Sequence, residues 1–398
     1  MSSKWFRIFL LTRRLRYVYH AGLLLIINAI VFFILPKIIS TNRETSKYLK
    51  FEEQSYIQYF QSKEQQIKES DFRIRIPHQR QISSEKTSFL IYEFPKYRHL
   101  CNKQVQSIYS RNCPYQNCKF TCDPSLNRTS DALFMLYTRL DHRQLSSLFE
   151  QRNPNQIWVL WYDEPYSPSS IYNRFFFNWT MSYRLDSEIS VSSYGTTVIR
   201  DQSMARPEFN RWIDEHFHKR LNQAAWFVSN CRPRARLQYY HQLKQYFPIF
   251  AVGKCILNRT CARFSNCEKE KLSNLKFYLA FESVSTKSNY ITEKFWRALY
   301  HGAIPVVLGP KRQDYERVAP PHSFIYAKDF QTPQLLAEHL HQISTDRIQY
   351  QYYHQWRIDY NAYYLRKDVE SVRFCEFCYK LNTNRDRIWY TNVNKYFS

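Results

Sequence analysis

The stretch from Lys276 to Pro310, KFYLAFESVSTKSNYITEKFWRALYHGAIPVVLGP, constrains the fold more than any other part of the chain. Phe277, Leu279 and Phe281 alternate with Tyr278, Ala280 and Glu282, which is the period of a strand. Ser283 to Asn289 is polar and reads as a loop. From Tyr290 the period lengthens: Ile291, Phe295, Ala298 and Leu299 form an apolar helix face, and Tyr290, Glu293, Lys294 and Arg297 the opposite, polar one. Gly302 suits a helix stop, and Ala303 to Leu308 a buried parallel strand. Such a β-loop-α-β unit puts the loop and the helix N-terminus at the carboxyl end of a parallel sheet, where ligands bind. Free N–H groups there, with Lys294 in the first turn, would make a phosphate site that needs no metal. Spacing alone equally allows Glu293 and Lys294 to be a solvated first turn.

Two domains and appendages fit within 398 residues. With 57 Lys and Arg against 34 Asp and Glu, the net charge of +23 favours nucleic acid, a membrane surface or a phosphorylated substrate. No G-x-G-x-x-G, P-loop or D-x-D pattern occurs, so dinucleotide, ATP and one common metal–diphosphate fingerprint are missing. Residues 1–17 carry Lys4, Arg7, Arg13, Arg14 and Arg16 and no acid, and 18–36 is a mostly apolar run without a small-residue cleavage site. The expectation is a cytosolic tail, an uncleaved transmembrane signal-anchor, and everything after it in a lumen. That topology removes nucleic acid as the meaning of the charge. Residues 37–86, rich in Lys, Glu, Gln and Ser, read as a stem.

Strand-like FLIY (89–92), ALFML (132–136) and IWVLW (157–161), with a helix-like Asp141 to Arg152, imply a parallel α/β sheet. Asp163-Glu164-Pro165 follows the third strand directly, which places carboxylates at a crevice, although a turn acid before proline reads the same way. Ala225 to Asn230 followed by Cys231 to Arg236 and a helical stretch to Tyr246 repeats the strand, loop, helix order. Asn127, Asn178 and Asn258 each begin an N-glycosylation sequon. The cysteines fall as Cys101, Cys113, Cys118, Cys122; then Cys231, Cys255, Cys261, Cys267; then Cys375, Cys378. C-x-x-C would mean zinc or thiol chemistry in a cytosol and disulfides in an oxidising lumen.

F-Y-L-x-F-E, then Y-I-T-E-K and P-V-V-L-G-P, resembles the donor-binding motif of the α1,3/4-fucosyltransferases, glycosyltransferase family 10. F-N-W-T-x-S-Y-R-x-D-S before Tyr194-Gly195, V-S-N at 228–230, and the aromatic segment 350–364, helical in that family, extend the likeness over most of residues 130–380. The resemblance implies a GT-B type α/β fold, two Rossmann-like domains facing across a cleft: an acceptor-side domain at 87–223, a GDP-fucose-binding domain at 224–365, and a segment at 366–398 returning to the first. It implies donor contacts from Ser229, Asn230, Arg236, Glu282, Ser283, Tyr290, Glu293 and Lys294. The family has Asn where Ser283 stands, and a loop one residue shorter before Tyr290. Its catalytic base lies in Glu-x-Pro; here the preceding aromatics align Glu164, and the proline aligns Asp163. Arg184 and Asp186 are either acceptor-side or structural.

Further implications are an inverting α1,3-transfer of L-fucose from GDP-fucose to N-acetylglucosamine of a glycoprotein glycan, no metal requirement, and a Golgi type II membrane location. Related enzymes bridge a C-terminal C-x-x-C to the first domain, so Cys375 and Cys378 are expected to pair within the 101–122 group and the 231–267 group internally. A transferase using another nucleotide sugar, and a catalytically silent glycan-binding protein, remain alternatives.

Overall fold

The structure is a computed structural model, described over residues 73–76, 86–95, 100–102, 113–190, 193–256, 261–384 and 386–398. The expected tail, anchor, nearly all of the stem, and the sequon at Asn258 lie outside the described residues. Among the described residues no helix is long and apolar enough to cross a membrane.

A first parallel sheet is built from β2 (Phe89–Phe94), β3 (Cys118–Thr121), β4 (Ala132–Leu136), β5 (Ile157–Tyr162) and β6 (Trp179–Ser182), after a short β1 (Arg73–Ile76). Its order is β3-β2-β4-β5-β6, with every pairing parallel. Every residue of β5 is buried, because helices or turns cover both faces of such a sheet. Helix α1 (His142–Glu150) starts at Asp141, whose side chain accepts the Arg143 N–H. After β7 (Thr196–Ile199) come α2 (Arg206–Lys219), β8 (Leu221–Phe227), α3 (Arg234–Leu243), β9 (Ile249–Val252), α4 (Asn266–Asn274), β10 (Leu275–Phe281), α5 (Glu293–His301), β11 (Ile304–Leu308), α6 (Arg312–Glu316) and β12 (Ile325–Tyr326). They form a second parallel sheet ordered β12-β11-β10-β8-β9. Phe209 and Ile213 of α2 pack with this second sheet. They lie ahead of the boundary expected at 223/224.

Helices α7 (Pro333–Thr345, N-capped by Thr332) and α8 (Arg347–Tyr352) follow. The segment expected to be helical to Tyr364 is instead a 3-10 turn at 355–358 and β13 (Tyr360–Tyr363), antiparallel to β7. Backbone pairing with β7 is available there, so the helix that the resemblance implies gives way to a strand. Helix α9 (Arg366–Thr383) returns to the first sheet, burying Phe374 and Phe377 against Ile91, Phe134 and Trp161. Disulfides Cys113–Cys375 and Cys118–Cys378 hold it there, and Cys101–Cys122, Cys231–Cys255 and Cys261–Cys267 close local loops. Strand β14 (Arg387–Tyr390) then pairs with β1, ahead of α10 (Val393–Tyr396).

The two sheets meet where Tyr290 packs edge-on against Tyr183 and Tyr194. Beside this contact Gly195 abuts Trp296 of α5 so closely that a β-carbon would lie 2.1 Å from the indole. Only glycine admits that approach.

Candidate active site

β10 delivers Glu282 to the mouth of α5. The helix begins at Glu293 rather than at Tyr290, because the Glu282 carboxylate accepts the N–H of the N-cap Thr292 at 2.8 Å and its hydroxyl as well. A carboxylate there also meets the positive end of the helix dipole. Lys294 lies 3.0 Å from Glu282 and 3.4 Å from Glu293, and it donates to the Thr292 hydroxyl. Arg297 joins Glu293 to Glu268, each at 3.0 Å. The polar face of α5 is thus a buried ion network, not the solvated first turn that spacing alone also allowed: Arg297 is 5% exposed and Tyr290 6%. Burial would lift the Glu293 carboxyl, yet Lys294, Arg297 and Arg263 hold it down to about 2. Burial would lower Lys294, and Glu282 and Glu293 raise it instead. The N-terminus of α5 is therefore already met by a carboxylate, unlike the free N–H cluster that periodicity suggests.

At the parallel end of β8, Ser229 and Asn230 are exposed, and the Asn230 side chain accepts the Arg232 N–H. Arg236 on α3 is buried and donates to the carbonyls of Phe281 and Asn230 at 3.0 and 2.6 Å. Those bonds occupy two of its five N–H donors, and its Nε is among the buried atoms without a partner. Ser283 is half-buried directly after Glu282. Donor residues expected from separate stretches are thus neighbours: Arg236 reaches the end of β10, and Glu282 joins β10 to α5.

The turn after β5 separates the two candidate bases. Asp163 is held on all sides. Both its oxygens accept from Arg373 of α9 at 2.8 Å, Trp161 Nε1 and Ser193 donate to the same carboxylate, and the Tyr194 hydroxyl donates to its backbone carbonyl. Glu164 is exposed and makes no hydrogen bond or ion pair among the described residues. Desolvation, Asp163 and Glu293 push its carboxyl up, against the pull of Lys294. Both carboxylates line a cavity of about 220 Å³ with Thr138, Tyr194, Arg263 and Tyr364. Arg373, Ser193 and Arg263 carry no motif of their own. The one available signal for Arg373 is its place two residues before Cys375.

Packing bears on three other assignments. Asn178 is 2% exposed; it accepts from Trp158 N–H and Arg152 and donates to the Ile388 carbonyl, and Thr180 is buried. A glycan cannot occupy that amide, so the sequon at 178 is structural. Asn127 ends a 3-10 turn with Arg128 and Thr129 exposed, leaving that sequon open to modification. Arg184 and Asp186 pair at 2.9 Å against Tyr396, which makes them a brace between β6 and the C-terminus.

Two family profiles match: "Fucosyltransferase, N-terminal" over residues 84–195, and "Glycosyltransferase family 10 (fucosyltransferase) C-term" over residues 217–396. The chain belongs to glycosyltransferase family 10. The first match ends at Gly195, where the sheets meet, and the second runs from the end of α2 through α9, β14 and α10. Among relatives, Drosophila melanogaster glycoprotein 3-alpha-L-fucosyltransferase A is 35% identical over 72% of this chain, which spans 55% of that protein. Human 4-galactosyl-N-acetylglucosaminide 3-alpha-L-fucosyltransferase FUT5 is 35% identical over 67% of this chain and 68% of its own length. A solved alpha1,3-fucosyltransferase aligns over 80% of this chain and 94% of its own, at 16% identity and a TM-score of 0.47.

Proposed function

We propose that this family 10 chain is an inverting α1,3-fucosyltransferase, moving L-fucose from GDP-fucose to N-acetylglucosamine of a glycoprotein glycan. One observation carries the catalytic part: Glu164 is an uncommitted carboxylate in the cavity, beside the Glu293–Lys294 corner of the donor network, with its proton affinity raised by its surroundings. The acceptor O3 attacks the anomeric carbon, Glu164 takes the hydroxyl proton, and the carbon–oxygen bond to GDP breaks. A base whose pKa is raised toward the working pH suits that transfer. A single carboxylate base with an opposite-face attack follows the logic of inverting glycosidases, a sugar hydroxyl replacing water.

Charge developing on the diphosphate is met by Arg236, which keeps N–H donors beyond its two carbonyl bonds, and by Lys294. Both sit at the carboxyl end of the second parallel sheet, and Ser229, Asn230, Ser283 and Tyr290 complete the donor side. In this reading the two α/β halves form a GT-B pair with the acceptor on the first sheet. Positioned cations take the place of a divalent metal. The chain sits in the Golgi membrane by its 18–36 segment, with the catalytic part lumenal.

The test is transfer by the full chain in detergent. GDP-fucose with an N-acetylglucosamine-terminated acceptor should give product with the anomeric configuration inverted, and Glu164→Gln should lower turnover at least about 100-fold with GDP binding intact. Turnover with another nucleotide sugar only, or undiminished turnover by Glu164→Gln, would refute it.

A further inference from the structure

We infer that Arg373 of α9 is a positioning residue for the reaction: by clamping Asp163 it fixes the turn that presents Glu164. The inference rests on the assignment of Glu164 as the base.

Asp163 and Glu164 are adjacent at the end of β5, so immobilising one aims the other. The guanidinium fork binds both Asp163 oxygens at 2.8 Å across 210 positions of sequence, and its side chain is 3% exposed. A bidentate, buried pair of this kind fixes direction as well as distance. Trp161, Ser193 and Tyr194 close the remaining sides. Arg373 itself cannot drift: Cys375 and Cys378 tie α9 to Cys113 and Cys118 beside β3, and Phe374 and Phe377 lie in the same core as Trp161. Helix α9 is therefore part of the catalytic apparatus, although it touches no reacting atom.

The pair also sets the charge seen by Glu164. Facing it are Tyr162 and Asp163 on the β5 end, Tyr194 after β6, Arg263 on the disulfide loop, Tyr290, Glu293 and Lys294 at α5, Tyr364 just before α9, and Arg366, Glu370 and Arg373 on α9. Asp163 raises the proton affinity of Glu164 only as far as Arg373 leaves it uncompensated. Removing Asp163's charge leaves an unpaired cation, and removing Arg373's charge leaves an unpaired anion. Their effects on Glu164 must be opposite.

The experiment measures kcat, KM for GDP-fucose and the acid limb of kcat/KM against pH for Arg373→Gln, Arg373→Lys and Asp163→Asn in the full chain, per GDP-binding site. The limb reports the free enzyme's base. Arg373→Gln should move it to higher pH and Asp163→Asn to lower pH. Arg373→Lys keeps the charge and loses the fork, so the limb should stay while kcat falls about tenfold or more, as misplacement by about 1 Å can cost about 100-fold. KM should change little in all three. If Arg373→Gln does not fold, Arg373→Lys and Asp163→Asn still decide. Retention of kcat and of the wild-type limb by the variants that bind GDP, with Glu164→Gln inactive, would overturn the positioning role alone. Full turnover by Glu164→Gln would overturn the base assignment beneath it.

Discussion

Truncating Lys294 to alanine removes a cation that lies 3.0 Å from Glu282 and 3.4 Å from Glu293. Glu293 keeps Arg297 at 3.0 Å. Glu282, 3% exposed, keeps only the Thr292 N–H and hydroxyl, with no ion-pair partner left among the described residues. Breaking a buried pair by removing one partner costs about 3–5 kcal/mol. An unfolding entropy of about 2.1 cal/mol/K per residue, over roughly 300 described residues, makes about 0.6 kcal/mol per degree. Tm should therefore fall by roughly 5–8 °C. GDP affinity should fall separately, by roughly 10- to 100-fold, the value of a hydrogen bond to a charged group. Adding Glu282→Gln to Lys294→Ala removes the stranded charge, so Tm should recover by half or more while GDP affinity does not. Differential scanning fluorimetry and calorimetric GDP titration read the two effects. An unchanged Tm in Lys294→Ala would refute the buried network, and an unchanged GDP affinity would refute the donor role.

Acid should destabilise the fold in two windows. Glu293 is held down to about 2 in the folded state, so its contribution is present above the ordinary carboxylate range and lost as pH falls through about 4 toward 2. His216 and His301 are pushed down to about 4, foremost by burial, so the unfolded chain binds their protons first and stability is lost from about pH 6.5 to 4; urea midpoints should show that slope, and His216→Gln should flatten it. Asn178→Ala should lower Tm, because Trp158 N–H and Arg152 lose their acceptor, and peptide mapping should find no glycan at Asn178; a glycopeptide there would refute the packing. Transfer should persist in excess EDTA; loss restored by a divalent cation would refute the metal-free reading.

Much of this protein was legible as sequence because parallel strands buried on both faces must be continuous apolar runs. Phe277 to Phe281, Ile157 to Trp161 and Ala303 to Leu308 announce themselves, and Gly302 takes the left-handed stop its position suggests, at φ 82°. The residues expected on the donor side sit on loops and helix ends read directly from those runs. What remained open was which partner each charge finds, since periodicity separates apolar from polar but cannot separate solvated from paired. Arg297 and Lys294 lie on a polar face in either case. Only the arrival of Glu268 from α4 and Glu282 from β10 makes that face an interior network. The same holds at the turn after β5. Adjacent Asp163 and Glu164 are nearly equivalent as letters, yet Arg373, 210 positions away, pairs with one of them, and the other has no such partner among the described residues. Local sequence determines elements because backbone hydrogen bonding and side-chain period are local. Charge compensation and reach are properties of pairs, and pairs this distant exist only once the sheets, α9 and its two disulfides have closed.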